Sequence, residues 1–480
     1  MPGKKKTTSP VPSSDLLDRF AAIVGDANTV RDAQQMDAYL IELRHLYKGK
    51  ASLVLRPGST KEVSQILKLA NETGSSIVPQ GGNTGLVGGQ IPFDSGKEII
   101  ISLSRMNKVR SIDPEGNIMT VDAGVILEQA QAAADQVGRL FPLSLASEGS
   151  CQIGGNLSTN AGGTAMLAYG NARDMVLGLE VVLADGRIWE GLRTLRKDNT
   201  GYDLKDLFIG AEGTLGIITG AVLKLFPKIE ERSTAFTGLK TVEDAARFFG
   251  LARQACGGEL TAFEFIPRVG IEMVLRHGSQ VRQPLSDEYE WYVLIELSGL
   301  EATGATNTTL ENLLGEALEE ETLQDAVIAS SIAQRNEIWR LRELMSEVQS
   351  LEGGSIKHDV SVPIAQIPEF INRANDLVQV MVPGSRPVPF GHYGDGNIHY
   401  NVSQPVEMDR EIFMAQWDPI CAGVHEIVLD LKGSISAEHG IGRMKRETLK
   451  KVKSEVELGM MRQIKSLFDP NGILNPGKVL

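Results

Sequence analysis

Residues 79–89 have the sequence Pro79-Gln80-Gly81-Gly82-Asn83-Thr84-Gly85-Leu86-Val87-Gly88-Gly89 and follow the apolar run Ser76-Ile77-Val78, which predicts a short buried strand. Five glycines within these residues permit positive φ angles repeatedly. Such a loop turns several backbone N–H groups toward one partner, as an anion such as a diphosphate requires. A Walker loop and a Rossmann fingerprint are excluded, because neither Gly-Lys-Ser/Thr nor the G-x-G-x-x-G spacing is present. Taken alone, the loop is explained equally well by an ordinary glycine-rich turn.

Two more glycine-rich loops are predicted in the same half of the chain, at 154–163 and 210–219. The first is Gly154-Gly155-Asn156-Leu157-Ser158-Thr159-Asn160-Ala161-Gly162-Gly163, whose small residues let a ligand approach and whose polar side chains can hydrogen-bond to it. The second is Gly210-Ala211-Glu212-Gly213-Thr214-Leu215-Gly216-Ile217-Ile218-Thr219. Each alone is compatible with a structural turn. Three such loops beside strands favour an extended nucleotide site lined by backbone.

Length and composition predict a soluble protein of 480 residues with two or three domains. The net charge of −13 argues against nucleic-acid binding, and no apolar run has the length of a membrane span. The three cysteines, Cys151, Cys256 and Cys421, are odd in number and far apart, which disfavours a disulfide framework and favours the cytoplasm. For a eukaryotic chain the expected location is the mitochondrial matrix.

The N-terminal half predicts a β-α-β unit that delivers the first glycine loop. Residues 14–50 are predicted to be mostly helical, followed by a strand at Leu53-Val54-Leu55 and a helix that Ser59 or Thr60 caps. After Pro227 the apolar runs alternate between strand and helix periodicity, which predicts a second α+β domain. The predicted limits are a disordered tail at 1–13, the first domain at 14–228, the second at 229–430 and a C-terminal segment at 431–480.

A pair of histidines flanks a strong hairpin signal, Asp395-Gly396. A two-residue loop at this position would place His392 directly opposite His399, with Cβ atoms ~4.5–5.5 Å apart. Two imidazoles at this separation can hold one metal ion, and Asn401 would share their face. A lone histidine is more often an ordinary core residue. A catalytic metal site needs a third ligand, and Glu438 in Ser434-Ile435-Ser436-Ala437-Glu438-His439-Gly440 is the best candidate.

The glycine loops together resemble the FAD domain of the vanillyl-alcohol-oxidase-type flavoproteins. Within that superfamily the chain resembles the D-2-hydroxyacid dehydrogenases from about Arg44 to Leu480. The resemblance implies an α+β fold: a two-subdomain FAD domain, a substrate cap with an antiparallel sheet, and a C-terminal segment that returns to the FAD domain and completes the active site. It implies FAD at the three loops, with these residues as contacts: Pro79, Gly81, Gly82, Asn83, Thr84, Gly85, Gly89, Ser147, Gly149, Gly154, Gly155, Asn156, Ser158, Thr159, Gly162, Gly213, Ile218 and Asn475.

Dissociable FAD is expected, because members of the superfamily that bind it covalently use a histidine or cysteine near these loops. The first two loops contain no histidine, and Cys151 is interpreted as a packed thiol. The resemblance also implies that His392, His399 and Glu438 bind a divalent metal, typically Zn²⁺. It makes His439 the base that takes the substrate's hydroxyl proton. The alternative for His439 is an ordinary polar loop residue.

Candidate anchors for substrate carboxylates lie between the two motifs. Helical periodicity places Arg342 and Ser346 on one face, and Lys357 falls in Ser355–Val362, which alternates like a strand. Solvated surface charges are the alternative explanation. In the D-2-hydroxyglutarate branch, an arginine and a lysine at the matching places hold the carboxylates, and Ser346 replaces a common threonine. The resemblance therefore implies that the substrate contacts Arg342, Ser346, Lys357, Asn401 and His439, whereas Arg443, Lys445 and Arg446 are expected to be surface charges.

The resulting expectation is an FAD- and metal-dependent D-2-hydroxyacid dehydrogenase that acts first on D-2-hydroxyglutarate. D-Lactate, D-malate or glycolate are the alternative substrates, and a non-catalytic flavin-binding electron-transfer subunit is the alternative from another class. The expected electron acceptor is an electron-transfer flavoprotein or a quinone, because no NAD fingerprint is present. A homodimer is the expected assembly.

Overall fold

The computed structural model describes residues 11–480, which form two compact units. The first unit contains the chain up to Ala161, Asn171–Pro227 and Glu438–Leu480, and the second contains Gly162–Gly170 and Lys228–Ala437. The sequence-based domain limits stay a prediction, and they differ from these units at 162–170, at 228 and at 431–437. Most of the predicted disordered tail, residues 1–10, lies outside the described residues.

The first unit is built on a four-stranded and a five-stranded sheet. The first sheet has the strand order Thr29–Val30, Ala51–Leu55, Glu98–Ser102 and Ile77–Gln80, with parallel pairing among the last three strands. The antiparallel second sheet has the order Val109–Asp113, Ile118–Asp122, Ile217–Lys224, Val176–Val182 and Ile188–Gly191. Two short strands, Arg139–Leu140 and Phe226–Pro227, pair separately. The helices are Ser14–Val24, Ala33–Leu40, Thr60–Thr73, Leu127–Asp135, Ile153–Thr159, Lys205–Phe208, Arg446–Val452 and Glu455–Phe468, with a 3₁₀ turn at Asp26–Asn28.

The helix Thr60–Thr73 begins where the sequence predicts, because the Ser59 hydroxyl accepts the Glu62 N–H. Two sequence-based predictions, for residues 14–50 and for residues 154–163, are wrong. Residues 14–50 contain two separated helices and a short strand rather than mostly helix. The second glycine segment begins with the helix Ile153–Thr159 rather than a loop, and Gly154 in this helix packs so closely against Ala123 that a Cβ would lie 2.7 Å from the alanine Cβ.

The second unit is one eight-stranded antiparallel sheet with apolar clusters on both faces. Successive residues enter different clusters, for example Ala235 and Phe236, as the alternation of side chains along a strand requires. The strand order is Asp325–Ile328, Glu231–Leu239, Trp291–Gly299, Leu260–Pro267, Arg386–His392, Asn397–Ser403 and Ser355–Ile356, with Val360–Ser361 also paired to Asn397–Ser403. The helices are Met166–Tyr169, Val242–Cys256, Arg268–His277, Ala305–Glu319, Ile332–Glu343, Met345–Val348, Ile367–Met381, Arg410–Met414 and Trp417–Asp430. Short 3₁₀ turns occur at Gly257–Glu259, Gln349–Glu352, Ile364–Gln366 and Tyr393–Asp395. The predicted α+β fold with an antiparallel sheet is confirmed.

Chain segments distant in sequence complete the first unit. The Ile77 N–H donates to Ile473 O and the Asn475 N–H donates to Ile77 O, each at 2.8 Å, so residues 473–475 extend the parallel sheet beside Ile77–Gln80. The half-buried Lys465 ammonium donates to Thr214 O at 2.7 Å and to Leu474 O at 2.8 Å. These contacts fix the C-terminal segment next to the glycine loops.

An ion cluster in the second unit gives its stability a defined pH dependence. Burial alone would raise the pKa of Glu352, but Arg386, His277 and Arg276 lower it to about 2. The ionised carboxylate therefore contributes stability above its unfolded pKa of about 4.3, and that stability is lost as the pH falls toward 2. Glu352→Gln is expected to lower the urea midpoint at pH 6, and the difference from the parent should shrink as the pH falls below 4. An equal difference at pH 6 and pH 3 would contradict this.

Candidate active site

The glycine loops line one cleft in the first unit, with about 880 Å³ of empty space including the solvent at its mouth. The walls come from the loop after Ile77–Gln80, from the helix Ile153–Thr159 and from residues 212–218. His439 and Asn475 also line this cleft, so the C-terminal segment forms part of its wall.

The first glycine loop carries hydrogen-bond donors that the protein does not use. Within residues 11–480, no protein atom accepts a hydrogen bond from the backbone N–H of any residue from Gly81 to Gly85. Backbone donors that are shielded from bulk water normally find partners, and five successive half-buried donors at a cleft suit a ligand with several acceptors. A diphosphate meets this requirement, and the residues present therefore fit FAD.

At two positions in this cleft there is no space for a side chain, so only glycine fits. A Cβ at Gly82 would lie 2.1 Å from Ser150 O, and one at Gly213 would lie 2.4 Å from a Pro79 side-chain atom. Gly213 also has φ near +70°, which disfavours other residues. In contrast, a Cβ at Gly155 would meet nothing within 4 Å, so there is open space for a ligand at that position.

The structure gathers most of the predicted FAD residues around this cleft. The lining residues include Pro79, Gly81, Gly82, Asn83, Thr84, Gly85, Gly89, Gly154, Gly155, Asn156, Ser158, Thr159, Gly213, Ile218 and Asn475. Ser147, Gly149 and Gly162 are not among the lining residues, and their assignment to FAD stays a prediction without support from this cleft. Cys151 is buried, Asn156 Nδ2 lies 3.6 Å from its Sγ, and burial raises the pKa of its thiol.

Glu212 fixes the loop that carries His439. Its carboxylate accepts the Ile441 N–H at 2.7 Å and the Gly442 N–H at 2.8 Å, and its backbone carbonyl accepts Asn475 Nδ2 at 2.9 Å. Burial raises the pKa of Glu212, although the two N–H donors and Lys445 oppose that shift. Two residues before this anchor, His439 Nε2 lies 3.7 Å from Glu438 Oε1. Sequence reasoning missed Glu212, since a single acidic residue in a glycine loop carries no separate signal.

Glu212→Ala is expected to lower the free energy of unfolding by roughly 2–4 kcal/mol, because it leaves one buried and one half-buried N–H donor without an acceptor. Urea unfolding of the purified protein measures this change. The matched control is Glu72→Gln on the exposed surface of the same unit, for which a change below about 0.5 kcal/mol is expected. Equal stability of Glu212→Ala and the control would contradict the anchoring role.

The histidine hairpin differs from the predicted one. The strands Arg386–His392 and Asn397–Ser403 are joined through a 3₁₀ turn at Tyr393–Asp395, and Phe390, not His392, pairs with His399. The two-residue turn is wrong because Tyr393 leaves the strand and packs among Phe249, Phe263 and Phe265. The two imidazoles remain neighbours on one face, with ring centroids 5.7 Å apart.

A buried acidic residue joins His392 to Arg342. Glu264 Oε1 is 2.7 Å from His392 Nδ1, and Glu264 Oε2 accepts Arg342 Nε at 2.7 Å. Burial alone would raise the pKa of Glu264, but the two partners lower it to about 2. Arg342 itself is buried with its guanidinium 4.8 Å from the Phe390 ring. It is therefore not a solvated surface charge.

Imidazole nitrogens are common ligands of divalent metals such as Zn²⁺, and the rings of His392 and His399 lie with their centroids 5.7 Å apart. A metal would be coordinated by His392 through Nε2, because Nδ1 is engaged with Glu264. Asp359 and His399 have potential ligand atoms within 4.8 Å of each other, and Asn397 Nδ2 also donates to Asp359 Oδ1. Sequence reasoning missed Asp359 and Glu264, which belong to no recognisable motif. The Ala437 N–H donates to Asp359 O at 3.3 Å, and Glu438 is the next residue along the chain.

The remaining predicted substrate residues lie around the same sheet. Lys357 Nζ donates to the backbone oxygen of Ser346 at 3.1 Å, so these two residues are neighbours. The predicted continuous strand at 355–362 is wrong, because the pairing stops after Ile356 and resumes at Val360–Ser361, with Lys357 between. Asn401 is buried and donates to Gln349 Oε1 at 2.9 Å.

Two of the three cations after His439 are not the expected surface charges. Lys445 is only 8% exposed. The Arg443 guanidinium lies between two aromatic rings, 4.6 Å from that of Tyr47 and 4.5 Å from that of Phe93. These cation–π contacts hold the chain that follows the His439 loop.

Two family models match the chain. The model described as "FAD linked oxidases, C-terminal domain" matches residues 228–479, and the one described as "FAD binding domain" matches residues 51–191. The first covers more than half of the sequence. Among the described residues, no helix is both long enough and apolar enough to cross a membrane.

Curated relatives match over nearly the whole length. The mitochondrial D-2-hydroxyglutarate dehydrogenase of Arabidopsis thaliana is 41% identical over 466 residues, 96% of this chain and 80% of that protein. A D-2-hydroxyglutarate–pyruvate transhydrogenase of Saccharomyces cerevisiae is 38% identical over 442 residues, 90% of this chain and 87% of that protein. The substrate-bound structure of p-cresol methylhydroxylase superposes with a TM-score of 0.75 at 16% identity, covering 97% of this chain and 96% of that one, which supports the fold alone.

Proposed function

The chain belongs to the FAD-linked oxidases, and from this membership we propose that it oxidises a D-2-hydroxyacid to the corresponding 2-oxoacid, with D-2-hydroxyglutarate as the preferred substrate. The observation that carries the proposal is the imidazole pair of His392 and His399 beside the Arg342 guanidinium. A metal-binding pair next to a carboxylate-binding cation suits a substrate that carries a hydroxyl beside a carboxylate.

We assign FAD to the cleft of the glycine loops, and a divalent metal to His392, His399 and Glu438. The assignment of Glu438 rests on the family resemblance and on its position directly after Ala437, whose N–H reaches Asp359. FAD held in this cleft would supply the acceptor for the hydride of C2, and a metal held by these ligands would lower the pKa of the substrate hydroxyl. Zinc is the proposed metal, since imidazole and carboxylate ligands suit it.

His439 acts as the base. It takes the hydroxyl proton of the substrate, a role for which imidazole is suited near neutral pH. Its position on the wall of the FAD cleft and the anchoring of its loop by Glu212 support the assignment. Asn401 and Ser346 contribute hydrogen bonds that orient the substrate.

The substrate class follows from the cations. Arg342 and Lys357 offer two positive charges for carboxylates, which suits a dicarboxylate better than lactate or glycolate. The buried Arg342 presents a planar fork for bidentate binding of one carboxylate, whereas the Lys357 ammonium is a single charge. D-Malate is the next dicarboxylate, and D-lactate and glycolate are the monocarboxylate alternatives.

The electron acceptor is proposed to be an electron-transfer flavoprotein or a quinone. The name of the yeast relative adds pyruvate as a further acceptor to test, after reduction of the protein by the first hydroxyacid. The homodimer and the location, cytoplasmic or mitochondrial, stay predictions from the sequence. Sedimentation and cell fractionation test them.

Anaerobic titration of the FAD-loaded protein tests the proposed function. D-2-Hydroxyglutarate and D-malate are expected to bleach the flavin absorbance near 450 nm within seconds, about 10³-fold faster than after metal removal by a chelator. Restoring zinc should restore the rate. Bleaching by D-lactate or glycolate alone would support oxidation of a 2-hydroxyacid but reject a dicarboxylate as the substrate. No bleaching by any of the four on metal-replete protein would reject the enzyme and favour a silent flavin-binding subunit.

A further inference from the structure

We propose that Glu264 is a positioning residue that orients both the metal-binding ring of His392 and the carboxylate-binding guanidinium of Arg342. The inference deepens the proposed function and rests on it. Neither partner is close to Glu264 in sequence, since His392 is 128 and Arg342 is 78 positions away. One carboxylate therefore fixes the relative placement of two groups that act on different parts of the substrate.

The backbone sets the position of Glu264. It lies in the strand Leu260–Pro267, and the antiparallel register pairs it directly with His392 in Arg386–His392. Directly paired residues project on the same face of a sheet. Glu264 is only 1% exposed, which makes the placement of an ionised group there costly unless both oxygens have partners.

The hydrogen bond to Glu264 sets the tautomer of His392. A carboxylate that accepts from Nδ1 keeps the proton on that nitrogen and directs the lone pair of Nε2 to a metal. It also restricts rotation of the ring, whose centroid lies 5.7 Å from that of His399. Glu264 therefore prepares half of the imidazole pair for coordination.

The second oxygen of Glu264 fixes Arg342 through its Nε. This bond leaves the two terminal amino groups of the guanidinium as the fork that can hold a substrate carboxylate. Phe390 supports the guanidinium from one side, and the same ring lies 5.2 Å from His399. The five side chains form a closed ring of contacts: Glu264, His392, His399, Phe390 and Arg342.

Glu264→Gln is the decisive variant, because glutamine supplies only one oxygen for two donors. One partner would face the amide NH₂ group and lose its acceptor, and the other would keep only a weaker, neutral hydrogen bond in place of a charge-assisted one, so both partners are affected. The dissociation constant of Zn²⁺, measured by competition with a chromogenic chelator, is expected to rise about 10–100-fold. With Zn²⁺ then added to saturation, KM for D-2-hydroxyglutarate is expected to rise about tenfold, since Arg342 is also displaced.

Glu296→Gln provides a matched control in the neighbouring strand, Trp291–Gly299. Glu296 is also buried and binds Arg335 Nε at 2.7 Å and Nη2 at 2.9 Å, but it contacts no histidine among the described residues. Both variants are expected to lower the thermal unfolding midpoint. Only Glu264→Gln is expected to weaken Zn²⁺ binding, which a general loss of stability would not explain.

Zn²⁺ affinity of Glu264→Gln within twofold of the parent would overturn the inference, as would equal weakening by Glu296→Gln. If Glu264→Gln does not fold, Glu264→Asp replaces it, because it keeps the charge but shortens the reach by one methylene. Zn²⁺ affinity of that variant equal to the parent's would also overturn the inference. Failure of the proposed function has a different signature: the parent protein would bind Zn²⁺ but no hydroxyacid would bleach its flavin.

Discussion

His439→Asn is expected to slow flavin reduction by D-2-hydroxyglutarate about 10²–10⁴-fold, because it removes the group that takes the hydroxyl proton. Asparagine keeps the polarity and much of the size of the side chain, so the loop held by Glu212 should remain in place. The FAD content should equal that of the parent, since the backbone donors of the first glycine loop are untouched. Anaerobic stopped-flow absorbance measures the rate.

His45→Asn is the matched control for this substitution. His45 is exposed on the same unit, and asparagine tolerates its positive φ of 57°. The flavin of the control should be reduced at the parent rate. Dithionite should bleach the flavin of the parent and of both variants equally. If the substrate bleaches the flavin of His439→Asn at a rate within tenfold of the parent's, His439 is not the base, and the hydroxyl proton must leave by another route.

His399→Ala is expected to abolish stoichiometric zinc binding and to lower the rate of flavin reduction by about 10³-fold, equivalent to about 4 kcal/mol of transition-state stabilisation. The ring lies at the centre of the proposed site, near His392 on one side and Asp359 on the other. Elemental analysis after dialysis measures the metal, and stopped-flow absorbance measures the rate.

The same His45→Asn protein serves as the control for a lost histidine, and it should retain the parent's zinc content. Added zinc in large excess should not restore His399→Ala fully, because a ligand is missing rather than a positioning contact. A variant that keeps stoichiometric zinc and the parent rate would remove His399 from the metal site.

Structural features that depend on neighbouring residues alone could be predicted from the sequence. The Ser59 cap, the strand before the first glycine loop and the antiparallel α+β character of the second unit follow from neighbouring residues. The hairpin register did not, because burial of Tyr393 among aromatic rings outweighed the turn preference of Asp395-Gly396. Tertiary packing decides register when one turn residue can enter a core.

The positioning carboxylates could not be predicted from the sequence. Glu212 binds N–H groups 229 and 230 positions away, and Glu264 binds partners 128 and 78 positions away. No spacing rule relates such residues, whereas the glycine loops and the histidine pair are recognisable within a dozen positions. The groups expected to act on the ligands were therefore visible in the sequence, and the groups that hold them became visible only in the fold.

The discontinuity of the first unit has a consequence for biosynthesis. The second unit has its own sheet and cores from residues made before Glu438, so it can fold while the ribosome is still translating. The first unit lacks the strand contact of Ile473 and the wall formed by His439 and Asn475 until translation has passed them. Flavin capture is therefore expected to be a late event, since a chain that ended before residue 438 would contain every residue of the second unit but only an incomplete cofactor cleft.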